Sequence, residues 1–303
     1  MRTAYLGTSE FAATVLRRLA DSPHRPALVV TPPDSKRGRG RKLAPPAAAE
    51  AARELDLPLH QTADVNLPDS VEAIRAAEPA TIAVCAFGQL IKEPLLSEYE
   101  MLNVHPSLIP RWRGAAPIER AMMDGDELTG ATIMRVTAGL DSGPVALQEE
   151  IPIEPGDDHE SLTDRLAGLS GELLVKALDL REEGSLTYTE QDEDRATYAE
   201  KVAPEERHLD PNRPAEELER VVRALTPHIG AHLELEDGSR LGVRGAEAVS
   251  PGPAAGELEA RDAKLLLGTP EGALRLDLVQ PPGKRPMRAA DFLRGHSVPE
   301  RAR

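Results

Sequence analysis

The sequence predicts an α/β domain followed by a small antiparallel β-barrel domain. Three observations carry this. Strand-like and helix-like patterns alternate from the start of the chain. The run "ATIAVCAF" is apolar throughout, as a strand buried on both faces of a parallel sheet must be. Beyond about residue 212 the character changes to short strands with Gly-rich turns, "HLELEDGSRLGV" and "KLLLGTPEGALRLDLVQPPG". Several short strands of this kind predict a small barrel of the oligonucleotide-binding type.

The elements follow in order. "TAYLGTSEFAATVLRRLADS" is a strand, a turn at Gly7 and an amphipathic helix. Thr8 or Ser9 can cap that helix, and Phe11, Val15 and Leu19 recur on one face. "PALVVT" is the second strand. A charged loop follows, then helices over "PAAAEAARELD" and "SVEAIRAAE". "ATIAVCAF" and "MLNVH" are the next strands, so strands and helices alternate as right-handed crossovers require. "TGATIMRVT" and "PVALQEEIPI" alternate as antiparallel strands do. "DDHESLTDRLAGLSGELLVKALDLREEG" is one long helix, with Asp157 or Asp158 near its cap. The polar stretch from Ser185 reads as a linker, "AEELERVVRAL" as a helix, and Asp237-Gly238 as a hairpin turn. We therefore expect domains at 1–184 and 209–303, joined by residues 185–208.

Composition narrows the function. One cysteine among 303 residues excludes an internal disulfide and a Cys-based zinc site. Cys85 lies inside the apolar run and is expected to be an inert core residue. No secretory signal or membrane-length apolar run is present, so a cytoplasmic, membrane-free protein is expected. The net charge of -15 is uneven: -1 over residues 1–140, -12 over 141–203 and -2 over 204–303. Both flanking regions can therefore present basic faces to a polyanion.

The chemistry points to one stretch, "NVHPSLIPRWRGAAPI". Asn103 and His105 lie two apart on a strand and so face the same side. They sit at its C-terminal end, where open α/β sheets bind ligands. An amide that stabilises an oxyanion and an imidazole that moves a proton suit acyl transfer. Asp141, in "AGLDSGPVALQ", is the carboxylate that would orient His105 and hold one tautomer. His228 and His232 have the i, i+4 spacing of a metal pair. No Glu follows the first His, no third ligand is near in sequence, and Gly230 interrupts the helix, so no metal is expected. "SKRGRGRK" places Lys36, Arg37, Arg39, Arg41 and Lys42 within seven residues, a footprint for phosphates. "GKRPMR" adds Lys284, Arg285 and Arg288.

"NVHPSLIPRWRGAAPIERAMMDGDELTGATIMRVTAGLDSGPV" closely resembles the methionyl-tRNA formyltransferase family. "LGTSEFA", "AFGQLI" and "QPPGKRPMRAADFLRG" resemble further stretches of it, in the same order. The resemblance implies that Asn103, His105 and Asp141 form a catalytic triad acting on 10-formyltetrahydrofolate, with no metal or redox cofactor. It implies a folate pocket lined by Phe87, Gly88, Gln89, Leu90 and Ile91, and by the turn Ser107, Leu108, Ile109 and Pro110. It implies that the basic loop enters the acceptor arm of initiator methionyl-tRNA and that Lys284 and Arg285 contact the tRNA from the second domain. Arg111, Trp112 and Arg113 are candidates to assist, with packing of the turn as the alternative for Trp112. A monomer is expected. Two positions depart from the family: Pro144 follows Gly143, where Gly-Asp is usual, and Phe87 stands where Tyr is common.

Three rivals bear comparison. Another formyl-folate enzyme, acting on a sugar amine or on water, would keep the triad without needing the basic loop. A nicotinamide oxidoreductase is opposed by the lack of GxGxxG after the first strand. A non-catalytic RNA-binding protein would leave Asn103, His105 and Asp141 without a purpose.

Overall fold

The computed structural model describes residues 1–37 and 42–303. Its first elements are β1 (Thr3–Gly7), α1 (Glu10–Ala20), β2 (Pro26–Thr31), β3 (Ser35–Arg37), β4 (Lys42–Ala44), α2 (Ala47–Glu54), β5 (Leu59–Gln61), α3 (Pro68–Ala76) and β6 (Thr81–Cys85). Then come α4 (Leu95–Glu98), β7 (Met101–His105), β8 (Arg113–Gly114), α5 (Pro117–Asp124), β9 (Leu128–Arg135), β10 (Val145–Pro152), α6 (His159–Glu182) and β11 (Tyr198–Ala199). The last are α7 (Ala215–Leu225), β12 (Ala231–Glu234), β13 (Arg240–Val249), β14 (Leu258–Arg261), β15 (Lys264–Gly268), β16 (Ala273–Gln280), β17 (Met287–Arg288) and α8 (Ala289–Gly295).

The chain forms two compact units whose segments interleave. One comprises Met1–Gly114, Leu128–Pro152 and Thr163–Tyr198; the other comprises Ala115–Glu127, Ile153–Leu162 and Ala199–Arg303.

The first unit is built on a seven-stranded sheet of order β10-β9-β7-β6-β1-β2-β5. Five strands are parallel, and β9 and β10 run antiparallel at one edge. Every residue of β1 and β6 is buried, which explains their unbroken apolar runs. Ser9 caps α1 by accepting from the Ala12 amide. That helix buries Phe11, Val15, Leu16 and Leu19. From β1 the chain proceeds to β2 and β5 on one side, then returns to β6 and β7 on the other. The sheet's topological switch point therefore lies between β1 and β6, and ligands bind outside the carboxyl ends of the strands at such points. Gly7, the last residue of β1, is required there. A Cβ at Gly7 would come within 3.2 Å of the Cys85 carbonyl and 2.6 Å of the Tyr5 ring.

The second unit holds an antiparallel sheet of order β12-β13-β16-β15-β14, with β17 added on β16. Residues 300–303 bridge its two ends. The Arg303 amide donates to Glu234 and Glu236 donates to Arg301, while Leu258 donates to Glu300 and Ala302 to Gly256. These bonds close the sheet into a small barrel, as the short strands predicted. Leu218, Val221, Val222 and Leu225 of α7 belong to its core, together with Leu233, Val243, Leu265, Leu274 and Phe292. Sequence patterning missed β5, β8, β14, β17, α4, α5 and α8, and it read as a charged loop and a linker the segments that hold the β3–β4 hairpin and β11. Signals for α5 were present, with Pro117 in its first turn and Gly125 ending it in the left-handed region at φ 83°.

Candidate active site

β7 delivers Asn103 and His105 to the carboxyl edge of the sheet. Its register fixes both: Asn103 lies opposite Val84 of β6 and Met134 of β9, and His105 lies opposite Thr132 of β9. Val104 faces away and is buried, as a two-residue period demands. Asp141 arrives on the loop between β9 and β10. Its backbone takes a left-handed φ of 46°, a conformation that strains a residue with a Cβ and persists only where its surroundings impose it.

The structure brings the three predicted catalytic residues together. Asn103 Nδ2 donates to Asp141 Oδ1 at 3.4 Å. His105 Nδ1 lies 3.6 Å from Asp141 Oδ2, which also accepts from the Gly114 amide at 2.9 Å. His105 Nε2 lies 2.8 Å from the Trp112 carbonyl oxygen. A carbonyl can only accept, so Nε2 carries the ring proton and Nδ1 is the nitrogen that exchanges one. The Trp112 carbonyl therefore fixes the tautomer, a task the sequence reading gave to Asp141. Trp112 can present that carbonyl because its backbone is left-handed, φ 64°, with its amide held by Thr197 Oγ1 at 2.9 Å. His105 is buried, whereas Asn103 is half-buried and keeps its amide within reach of a ligand.

The turn Ser107–Pro110 is pinned from beneath. Ser107 Oγ donates to the Arg111 carbonyl at 2.7 Å, and Thr132 Oγ1 donates to the Ser107 carbonyl at 2.6 Å. Gln148 Nε2 donates to the Ile109 carbonyl at 3.0 Å. Ser107 and Ile109 are buried, while Leu108 and Pro110 are partly open. The loop Phe87–Ile91 leaves β6 at the switch point. Thr8 Oγ1 donates to the Phe87 carbonyl at 2.8 Å and ties it to the loop after β1. Gln89 turns inward, accepting from the Val65 amide and donating to the Thr62 carbonyl. Phe87 and Ile91 pack into the core, and Gly88 and Leu90 face outward. A Cβ on Gly88 would meet nothing within 4 Å, so the loop borders open space.

Sequence reasoning missed the residues that hold this arrangement from behind. Gln191, inside the polar linker, donates from Nε2 to the carbonyls of Asp141 at 2.8 Å and Gly143 at 2.6 Å. Its Oε1 accepts from Arg113 Nε and Nη2. Glu193 closes a two-pronged ion pair with Arg113 at 2.9 and 2.7 Å, and Arg113 holds its carboxyl below the usual range. Arg113 is 1% exposed. It was a candidate for assisting RNA, and its burial under these two partners removes it from that role. Arg111 stacks over the Trp112 ring at 4.4 Å.

The remaining predicted positions are dispersed. Lys36 pairs with Leu43, and Arg37 with Lys42, in the β3–β4 hairpin. Arg39, Arg41 and the Arg37 side chain lie outside the described residues. Lys284 and Arg285 are exposed in the second unit between β16 and β17. His228 and His232 do not pair. His232 sits on β12 with its ring 5.9 Å from His208. His228 instead stacks on His159 with ring centres 3.7 Å apart, and both Nε2 atoms face Glu119 Oε1, at 3.1 and 3.6 Å. These three side chains have metal-ligating chemistry. The stacked rings turn their Nε2 atoms toward one carboxylate oxygen, and the shorter contact is a hydrogen bond in which the His228 Nε2–H donates to Glu119.

Known proteins match this chain over its length. Residues 1–178 match the family model "Formyl transferase", and residues 201–297 match "Formyl transferase, C-terminal domain". A methionyl-tRNA formyltransferase of Methylococcus capsulatus is 42% identical over 302 residues, covering 98% of this chain and 98% of that one. One of Rubrobacter xylanophilus is 43% identical with the same coverage of each. Among solved structures, HypX from Aquifex aeolicus in complex with tetrahydrofolic acid superposes with a TM-score of 0.66 at 22% identity, covering 99% of this chain and 48% of that one. With family models on both parts and relatives matched end to end, this chain belongs to the formyl transferase family, among the methionyl-tRNA formyltransferases.

Proposed function

We propose that this chain transfers the formyl group of 10-formyltetrahydrofolate to the α-amine of methionine esterified to initiator tRNA. The convergence of Asn103, His105 and Asp141 at the carboxyl edge of the sheet carries the reading. The donor supplies a formyl carbon on a nitrogen leaving group. Asn103 Nδ2 donates to the formyl oxygen as negative charge builds on it. His105 Nδ1 accepts the proton that the attacking amine sheds as the new C–N bond forms. Asp141 stands beside Nδ1 and balances the imidazolium so produced. His105 then returns the proton, directly or through water, to the folate nitrogen as its bond to the formyl carbon breaks. No net proton is gained or lost.

The Phe87–Ile91 loop and the Ser107–Pro110 turn fit a flat heterocycle at the switch point. Gly88, Leu90, Leu108 and Pro110 are the open positions that would contact it, and Phe87, Gln89, Ile91, Ser107 and Ile109 would support them. The first unit holds the chemistry, and the second, with the barrel, holds the tRNA. Lys36, Arg37, Arg39, Arg41, Lys42, Lys284 and Arg285 are the proposed phosphate contacts. The protein acts as a cytoplasmic monomer, away from membranes, without a metal. Among the described residues no helix is long and apolar enough to cross a membrane.

The test is formylation of initiator against elongator methionyl-tRNA, resolved on acid gels with 10-formyltetrahydrofolate as donor. Formylation of the initiator alone is expected. Release of free formate without formylated tRNA would overturn the acceptor and favour a different formyl-folate enzyme. His105→Ala should abolish most turnover, by at least about a hundredfold, while tRNA affinity stays near that of the unaltered protein. Equal loss of both would overturn the role of His105.

A further inference from the structure

We infer that Gln191 is a positioning residue that holds the Asp141 carboxylate in its working place, acting through the Asp141 loop rather than on a substrate. The inference rests on the proposed formyl transfer.

The Gln191 carboxamide is saturated. Its two short Nε2 hydrogen bonds go to one loop, to the carbonyls of Asp141 and Gly143, with Met134 Sδ farther off at 3.8 Å. Both lone pairs of Oε1 are taken by Arg113. Arg113 is itself clamped by Glu193 and buried, so Gln191 has a rigid anchor on one side and a strained loop on the other. Asp141 occupies the left-handed region at φ 46°. A non-glycine residue relaxes from there unless held. Relaxation would swing Oδ2 off the Gly114 amide at 2.9 Å and away from His105 Nδ1 at 3.6 Å. Only a neutral amide satisfies both sides, since it donates twice and accepts twice. A glutamate at this position keeps the Arg113 partner but turns a carboxylate oxygen onto two carbonyl oxygens.

Gln191→Glu is therefore the informative variant, because the retained ion pair to Arg113 supports the fold. Gln191→Leu, which removes both sides, is the companion. Gln191→Glu should lower kcat on the order of ten- to a hundredfold, because a misplacement of about 1 Å costs about that much. KM for the donor and for initiator methionyl-tRNA should stay within about threefold. In an Asp141→Asn background the same change should lower kcat less than about threefold, since residues acting through one another are not additive. An equal drop in both backgrounds, or a change in KM alone, would overturn the inference. A readout free of turnover separates this from the proposed function. The His105 ring 15N resonances should move in the same direction in Gln191→Glu and in Asp141→Asn, and unmoved resonances in Gln191→Glu would overturn the inference even if the protein formylates nothing.

Discussion

Replacing Gly143 by alanine tests how tightly the Asp141 loop is fitted to the sheet. Gly143 lies against the end of β9, where a Cβ would fall 1.8 Å from the Arg135 carbonyl oxygen and 2.9 Å from its carbon. Real Cβ atoms essentially never come within 3.0 Å of a neighbour, so something must shift by at least 1.2 Å. The Arg135 side is the less yielding. Arg135 pairs with Leu102 of β7, and its amide donates to the Pro144 carbonyl at 3.0 Å. The movement therefore falls on residues 139–143, which carry Asp141. A displacement of that size takes Oδ2 out of hydrogen-bond range of Gly114. We expect kcat to fall about a hundredfold, with a stability loss of about 1–3 kcal/mol from overpacking. Steady-state formylation of initiator methionyl-tRNA and urea unfolding measure the two effects. A variant whose kcat lies within about threefold of the unaltered protein would show that the loop position does not set the rate.

Three further outcomes follow from other parts of the fold. Burial pushes the Cys85 thiol up to about 12, so the folded protein should resist alkylation at pH 8 and react once unfolded; rapid labelling of the native state would contradict its place in β6. Burial holds His159 below its ordinary value, and Glu119, pushed up by burial, is drawn below its own by the His228 hydrogen bond and the field of His159. Both folded values lie under the unfolded ones, so the unfolded chain binds more protons and stability falls on acidification. The loss begins near about pH 6.5 for His159 and near about 4.3 for Glu119. Urea midpoints should drop from pH 7 to pH 5, and drop less in His159→Gln; a larger drop in that variant would reverse the sign. Ala302→Glu places a carboxylate among the barrel core at a 6% exposed position, costing about 1–3 kcal/mol in urea unfolding; an unchanged midpoint would deny residues 300–303 their part in closing the barrel.

The sequence by itself determined the α/β class, the buried strands β1 and β6, the cap of the first helix and the late antiparallel domain, and it singled out Asn103, His105 and Asp141, which the fold brings together. These are properties of periodicity, of short-range turn chemistry, or of motifs long enough to resemble a family. It also placed Asn103 and His105 on one face, because a strand alternates with a fixed period of two. It did not reach β5, too short to show a period, or α5 and α8, which are 8 and 7 residues long and have no side-chain cap at their first turn. Nor did it reach the groups that aim the site. Gln191 and Glu193 sit in a run whose polarity reads as solvated linker, and nothing local says that they meet Arg113 and the Asp141 loop. The carbonyl of Trp112 and the amide of Gly114 are backbone groups, present in every residue and invisible to composition. His228 found His159 and Glu119 rather than the His232 that its spacing suggested, because partners distant in the chain are set by packing. Which residues are candidates for the chemistry was a matter of local sequence; which groups hold them in register was decided only when distant segments were brought to within hydrogen-bond range.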